Sequence, residues 1–405
     1  MRNDRWRRAA GLLLAGAGVG LAVAADWPQF RGLQRDGRSA ESGLDRSWTD
    51  GAPKVLWRQS LGDGFSGIAV AGDRLYTMFA DDKQELAAAY RRGSGEQLWR
   101  VVVGDRFADE FGDGPRSTPT LAGDRLFVLG SKGRLMALEA ASGKALWQVE
   151  LSERFGSKVP RWGFSGSPLV DGDQVVLEVG GGEGKRIAAL DAASGQTRWT
   201  ALDGGAGYSS PLLAKFQETR QYVFVSGQQI LGLGTDGKPL WNFPWQYGGI
   251  AIPVLVGGDR VFVSSSDDAG AVLVRVQREA EAWTAEQVWT SPNMKNSFNA
   301  SVVVGQGIYG FDNATLRCLS VDSGAPSWAK RGYGKGSLIA VDGLLIVLGD
   351  QGQLALATAT PAGYEEQGTL RAFTDKSWTS PTLADGRLYL RNQRELLCID
   401  LRGGA

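Results

Sequence analysis

The sequence predicts an all-β fold built from eight repeats of four short strands, and three observations predict it. First, a tryptophan recurs four residues after a turn glycine: Gly95 to Trp99, Gly143 to Trp147, Gly195 to Trp199, Gly237 to Trp241 and Gly324 to Trp328. With Trp57 and Trp289 included, successive spacings are 42, 48, 52, 42, 48 and 39 residues. Second, each unit has an earlier half in which a Gly/Asp turn precedes an alternating apolar run, as in Gly72-Asp73-Arg74-Leu75-Tyr76 and Gly258-Asp259-Arg260-Val261-Phe262-Val263. A short Ser-Pro or Thr-Pro strand often precedes that turn, as at Thr118-Pro119, Ser167-Pro168, Ser210-Pro211 and Ser380-Pro381. Third, the alternation is rich in β-branched and aromatic residues, and no helical period is sustained outside the first 25 residues. Four strands per unit at a period of roughly 40–50 residues is the pattern of an eight-bladed β-propeller of four-stranded antiparallel blades.

Taken in chain order, residues 1–8 carry four arginines and one aspartate, residues 9–23 are small or apolar, and Val23-Ala24-Ala25 precede Asp26. This is the pattern of a cleaved secretory signal over 1–25. The apolar run is shorter than the roughly 20 residues of a spanning helix. Arg7-Arg8 stands in too loose a context for twin-arginine export, and no cysteine ends the run to encode a lipid anchor there. The expectation is export to the periplasm or beyond, with no transmembrane span. Removing 1–25 leaves 40 basic and 43 acidic residues.

Residues 26–53 read as a leader. Residues 54–61, around Trp57, form a strand with no unit before it, while the last unit ends at Asp400 without a Trp strand of its own. Pairing the two closes the ring over 54–405 and removes exposed strand edges. In one unit Lys215–Gln221 takes the place of the turn before Tyr222. Trp57, Trp99, Trp147, Trp199, Trp241, Trp289 and Trp328 are expected to dock between blades on the next turn. Cys318 and Cys398 replace apolar strand residues in equivalent places, so they read as buried free thiols rather than a disulfide.

Composition excludes more than it assigns. The 405 residues hold 44 basic and 44 acidic side chains, so no basic surface for nucleic acid is indicated. Histidine is absent, which removes Ser-His-Asp and Cys-His catalysis and every His-ligated metal. Two cysteines cannot build a Cys₄ site.

The stretches Ala189-Leu190-Asp191-Ala192-Ala193-Ser194-Gly195 to Trp199 and Ala137-Leu138-Glu139-Ala140-Ala141-Ser142-Gly143 to Trp147 resemble the tryptophan-docking repeats of pyrroloquinoline-quinone (PQQ) propellers. Asp26-Trp27-Pro28-Gln29-Phe30-Arg31-Gly32 is similar to the leader of bacterial exported PQQ-like repeat proteins. The likeness spans roughly 26–402. That family holds quinoprotein alcohol dehydrogenases and the cofactor-free assembly factor BamB. Its catalytic members imply an adjacent Cys-Cys disulfide, a calcium held by Glu and Asn, and an Asp base. None of these has a matching motif here, so no catalytic residue carries over and whether the chain is an enzyme stays open, leaning against. The resemblance implies a BamB-like, non-catalytic scaffold in the cell envelope, binding a protein or peptide, without a cofactor and as a monomer. The alternatives are a PQQ- and calcium-dependent oxidoreductase and a glycan-binding propeller.

Two residue sets are candidate sites. The position three before each inner-strand Pro gives Phe65, Arg116, Ser165, Tyr208, Ile250, Phe298, Lys335 and Trp378, expected as a ring at the channel mouth. Its aromatics and two cations suit a flat acidic ligand, a glycan or a peptide tail; plain plugging of the channel is the competing reading. The interblade loops carry Phe107, Phe111, Phe155, Trp162, Phe243, Trp245 and Tyr247. The acidic segment Asp105–Asp113 reads as a solvated loop, and Gly180–Gly184 as a hairpin turn.

Overall fold

Strand order follows from turn chemistry. Each repeat folds back on itself three times, giving eight antiparallel sheets whose strands, apart from those of the last, follow the chain outward from the axis. The computed structural model describes residues 26–46, 48, 53–246, 250–266 and 269–402; the expected signal over 1–25 lies outside them. Blades 1 to 7 span 69–105, 120–150, 169–201, 212–244, 254–291, 302–330 and 337–371. Blade 8 combines Thr382–Ala384, Arg387–Arg391 and Glu395–Asp400 with the N-terminal strand Val55–Ser60. Val55 faces Ile399 and Ser60 faces Glu395 in an antiparallel ladder, so the chain's two ends seal the ring as the sequence predicts.

The tryptophans sit on the outermost strands. Beside each, the ladder to the third strand shifts register, as between Ala89 and Tyr90 opposite Trp99. The ring of each Trp then covers the turn of the next blade. A Cβ at Gly95, Gly143, Gly195, Gly237 or Gly324 would lie 2.5–2.8 Å from ring carbons of Trp57, Trp99, Trp147, Trp199 and Trp289 respectively, and all five glycines have positive φ. Only glycine meets both demands. The indole N–H groups of Trp57, Trp99, Trp147, Trp289 and Trp328 donate to the carbonyls of Arg92, Ala140, Ala192, Val321 and Thr360. Trp199 donates to Gln174 Oε1 and Thr235 O. Trp241 departs from the pattern, donating to Gln221 Oε1 of its own blade at 2.7 Å. The following hairpin, Gly270–Glu279 with Ala282–Ser291, turns at Ala280 and has no turn glycine to receive it.

Blade 7 has no tryptophan of its own. Gly368 stands where the others carry Trp, opposite Leu356 at the register shift. Trp48 of the leader is buried over it: a Cβ on Gly368 would lie 2.2 Å from the Trp48 Cβ. The eighth docking ring is therefore supplied from outside the repeats.

One local expectation changes. The turn at 215–221 shrinks to Gln217 and Glu218, both left-handed, between Leu212–Phe216 and Thr219–Val225. Two left-handed central residues make a tight hairpin turn that Gly or Asn normally announces, so the sequence carried no signal for it. The connection after blade 2 begins with a one-turn helix, Leu151–Phe155, which buries Leu151 and Phe155 and ends at left-handed Gly156. Part of the leader enters the ring, as described below. Gly180–Gly184 is a hairpin connection between Gln174–Glu178 and Ile187–Asp191. Cys318 and Cys398 are buried free thiols facing Trp328 and Trp57 across their ladders, and burial pushes them up to about 11 and about 12.

Candidate binding site

The leader closes one end of the channel. Trp27 pairs with Val70 of blade 1, and Arg38–Ser39 adds a parallel strand to the inner edge of blade 7. Asp26, Glu41 and Asp342 join it to the turns on the same face, through Gly72, Asp385–Gly386 and Gly43. Between these points two arginines, Arg31 and Arg35, reach the inner strands fully buried. Arg31 donates to the carbonyls of Arg35, Asp36, Ala300 and Ser301. Arg35 donates to Gln29 Oε1 and to the carbonyls of Ser167, Pro168 and Pro211. The plug thus bonds carbonyls at the entries to blades 3, 4 and 6 that point into the channel, one of which, Pro168 O, also accepts from the Thr120 hydroxyl of blade 2 at 2.7 Å. Burial lowers the two guanidinium groups to about 10 and about 9.

The other end stays open as a cup of about 360 Å³. All eight mouth residues, Phe65, Arg116, Ser165, Tyr208, Ile250, Phe298, Lys335 and Trp378, line it. They converge because each immediately precedes an inner strand, where the chain passes from the outer rim back to the axis. Phe298 stacks on Trp378 at 4.4 Å and Phe65 at 5.5 Å. Phe111 links Trp378 (6.4 Å) to Trp162 (5.8 Å), and Trp162 meets Tyr208 at 5.0 Å. The wall of blades 8 and 1 to 4 is thus one aromatic chain packed ring on ring. Lys376 lies 4.4 Å over Trp378, and Arg161 lies 5.7 Å over Trp162.

The loop aromatics divide. Phe111 and Trp162 enter the cup wall, whereas Phe107 lies behind it, 5.0 Å beneath Arg116. Trp245 and Phe243 pack on the core between blades 4 and 5 instead, and Phe155 is buried in its helical turn. Tyr247 lies outside the described residues.

Charge differs from the sequence expectation. Arg116 is bonded to Asp109 at 2.6 Å, and the Asp109 side chain is only 5 % exposed, so one of the two mouth cations is neutralised. The acidic loop is partly solvated and partly a network: Asp105 and Glu110 stand exposed, Arg161 pairs with Glu110 at the surface, and Arg106 holds Asp113 and Asp63. The ammonium of Lys335 has no carboxylate partner among the described residues. What sequence reasoning missed is the floor of the cup, formed by Trp27, Phe30 and Arg31. These residues stood in the leader motif, but nothing in that motif says that it enters the ring.

A calcium-held quinone needs several oxygen ligands. The cup offers one carboxylate, Asp109, already held by Arg116, and no thiol. No group of three or more Cys, Asp and Glu among the described residues is placed to hold a metal. Trp378 is packed by Phe298 and Lys376 rather than open to a flat cofactor. The residues present do not fit that group.

The family model described as outer membrane protein assembly factor BamB matches residues 82–330 and 216–405. The chain belongs to the BamB family. It is similar to BamB of Yersinia pestis, 26% identical over 316 residues, covering 73% of this chain and 76% of that protein. The crystal structure of BamB from Moraxella catarrhalis superposes with a TM-score of 0.59 at 16% identity, over 86% of this chain and 100% of that one. Quinohemoprotein alcohol dehydrogenase from Comamonas testosteroni superposes with a TM-score of 0.65 at 13% identity, over 94% and 81%. The last two share the ring; by sequence the chain is also similar to quinohemoprotein alcohol dehydrogenase ADH IIB of Pseudomonas putida, 28% identical over 277 residues, covering 59% of this chain and 39% of that protein.

Proposed function

We propose that the chain is an exported, non-catalytic scaffold of the cell envelope that holds a protein partner on the face around the channel mouth. One observation carries this reading beside the family match: the chain's own leader closes one end of the channel and leaves an aromatic-rimmed mouth at the other, in which, among the described residues, the one carboxylate is Asp109, held by Arg116. Phe111 stands 44% exposed at that rim, and rigid aromatic anchors set in a polar surround are what binding hot spots use. Among the described residues no helix is long and apolar enough to cross a membrane. Residues 1–25 serve export in this reading, residues 26–46 with Trp48 form the plug and its tether, and the ring follows from Val55. The partner is a component of outer membrane assembly, as the relatives' name indicates. The test places a photo-crosslinking residue at Phe111 or at Leu146 on the outer edge of blade 2, in cells. An adduct with an outer-membrane assembly protein from Phe111 alone supports the proposal. Equal adducts from both positions, or none from Phe111, reject it.

A further inference from the structure

The charged side chains lining the cup are Arg31, Arg116, Lys335 and Asp109, an excess of two positive charges. Arg116 and Asp109 cancel one another. Arg31 meets only carbonyl oxygens, as does Arg35 beneath it apart from one amide oxygen, so the floor holds cationic charge without a bonded carboxylate. The Asp36 carboxylate acts on Arg31 without bonding its guanidinium, and among the described residues none acts on Arg35; buried charge so weakly compensated is costly, and low-dielectric walls focus its field into the cavity. At the junction of blades 6 and 7 the cup has a polar corner, where Lys335 and Asn313 border a small recess with Ser297. The Ser297 hydroxyl is buried and has no hydrogen-bond partner, and the Ser165 hydroxyl across the ring is in the same state. Buried hydroxyls without partners are exceptions in folded proteins and ask for one. Next to that corner stand Phe298 and Trp378, the start of the aromatic wall.

We infer that the cup binds a small organic anion with an apolar body, its carboxylate at the Lys335–Ser297 corner and its body along the Phe298–Trp378–Phe111 wall. The cup's volume suits a single ring with a short chain, and its rings, already stacked on one another, offer edges and apolar surface rather than the open platforms a sugar uses. The site lies inside the mouth whose rim the partner-binding reading uses, and Phe111 belongs to both; Lys335, which that reading does not use, tests the two apart.

The test titrates the full-length purified protein with 4-phenylbutyrate, following tryptophan fluorescence and calorimetry. Controls are 4-phenylbutanol, which keeps the ring without the charge, and butyrate, which keeps the charge without the ring. The expected result is saturable binding of phenylbutyrate, at least tenfold tighter than either control. Lys335 is exposed, so Lys335→Gln should fold with an unchanged melting temperature and weaken phenylbutyrate about tenfold while leaving the alcohol unaffected. Phe111→Ala, also at an exposed position, should weaken the phenyl compounds but not butyrate. Equal affinity for acid and alcohol, no binding of the acid, or no effect of Lys335→Gln would overturn the inference.

Discussion

Gly123 and Gly143 are both left-handed glycines of blade 2, and alanine at each separates two costs. Their φ values are +60° and +75°. An alanine methyl at Gly123 meets nothing within 4 Å, whereas at Gly143 it lies 2.7 Å from Cε3 and 2.8 Å from Cδ2 of Trp99. The left-handed conformation alone costs alanine about 1–2 kcal/mol. At Gly143 the methyl also sits far inside the optimum carbon separation of about 3.5–4.0 Å. Trp99 has no easy retreat, because its N–H is bonded to Ala140 O at 3.1 Å and its ring packs on Tyr76. Overpacking of this kind adds about 1–3 kcal/mol. Gly123→Ala should therefore destabilise by about 1 kcal/mol, and Gly143→Ala by about 3 kcal/mol. Urea denaturation followed by fluorescence measures both, with midpoints compared at a common slope. Repeating the pair in a Trp99→Leu background completes the cycle: the excess at Gly143 should shrink to the Gly123 value. Equal costs in the parent protein, or an excess that survives without Trp99, would refute the docking argument.

Three other outcomes follow from the same structure. Burial raises the Glu178 carboxyl to about 7 against an ordinary value of 4.5, with the Ser226 hydroxyl donating to it in opposition. A raised carboxyl loses stability as pH rises from its unfolded to its folded value, so the protein should weaken between about pH 4.5 and 7 by roughly 3 kcal/mol relative to Glu178→Gln; parallel pH profiles of the two proteins would contradict this. Arg35→Met strips donors from the buried carbonyls of Ser167, Pro168 and Pro211; Pro168 keeps the Thr120 hydroxyl, so at about 1 kcal/mol or more for each of the other two the change should destabilise by about 2 kcal/mol and open residues 26–46 to limited proteolysis. Trp48→Ala should cost about 3–5 kcal/mol, as for a core aromatic, although Trp48 lies outside the repeats; a loss under 1 kcal/mol by the same urea assay would show that Gly368 needs no cover.

What the sequence determined by itself is the periodic part of the protein. Gly95 and Trp99 lie four residues apart, Gly258-Asp259 directly precedes its strand, and a pattern repeated along the chain reports the strands, the blade number and the seam between Val55–Ser60 and Glu395–Asp400. The cup-lining residues could be named from the sequence because seven of the eight stand four residues before their inner strands and Lys335 two before its own. The tertiary structure alone decided the rest. Arg31 meets Ala300 and Ser301 some 270 residues away, Trp48 finds Gly368, and Asp109 takes the charge of Arg116. Each of these is a single contact made once, so no period announces it. Only the closed ring brings the leader and the axis together, and their meeting turns an open channel into a floored, positively charged cup.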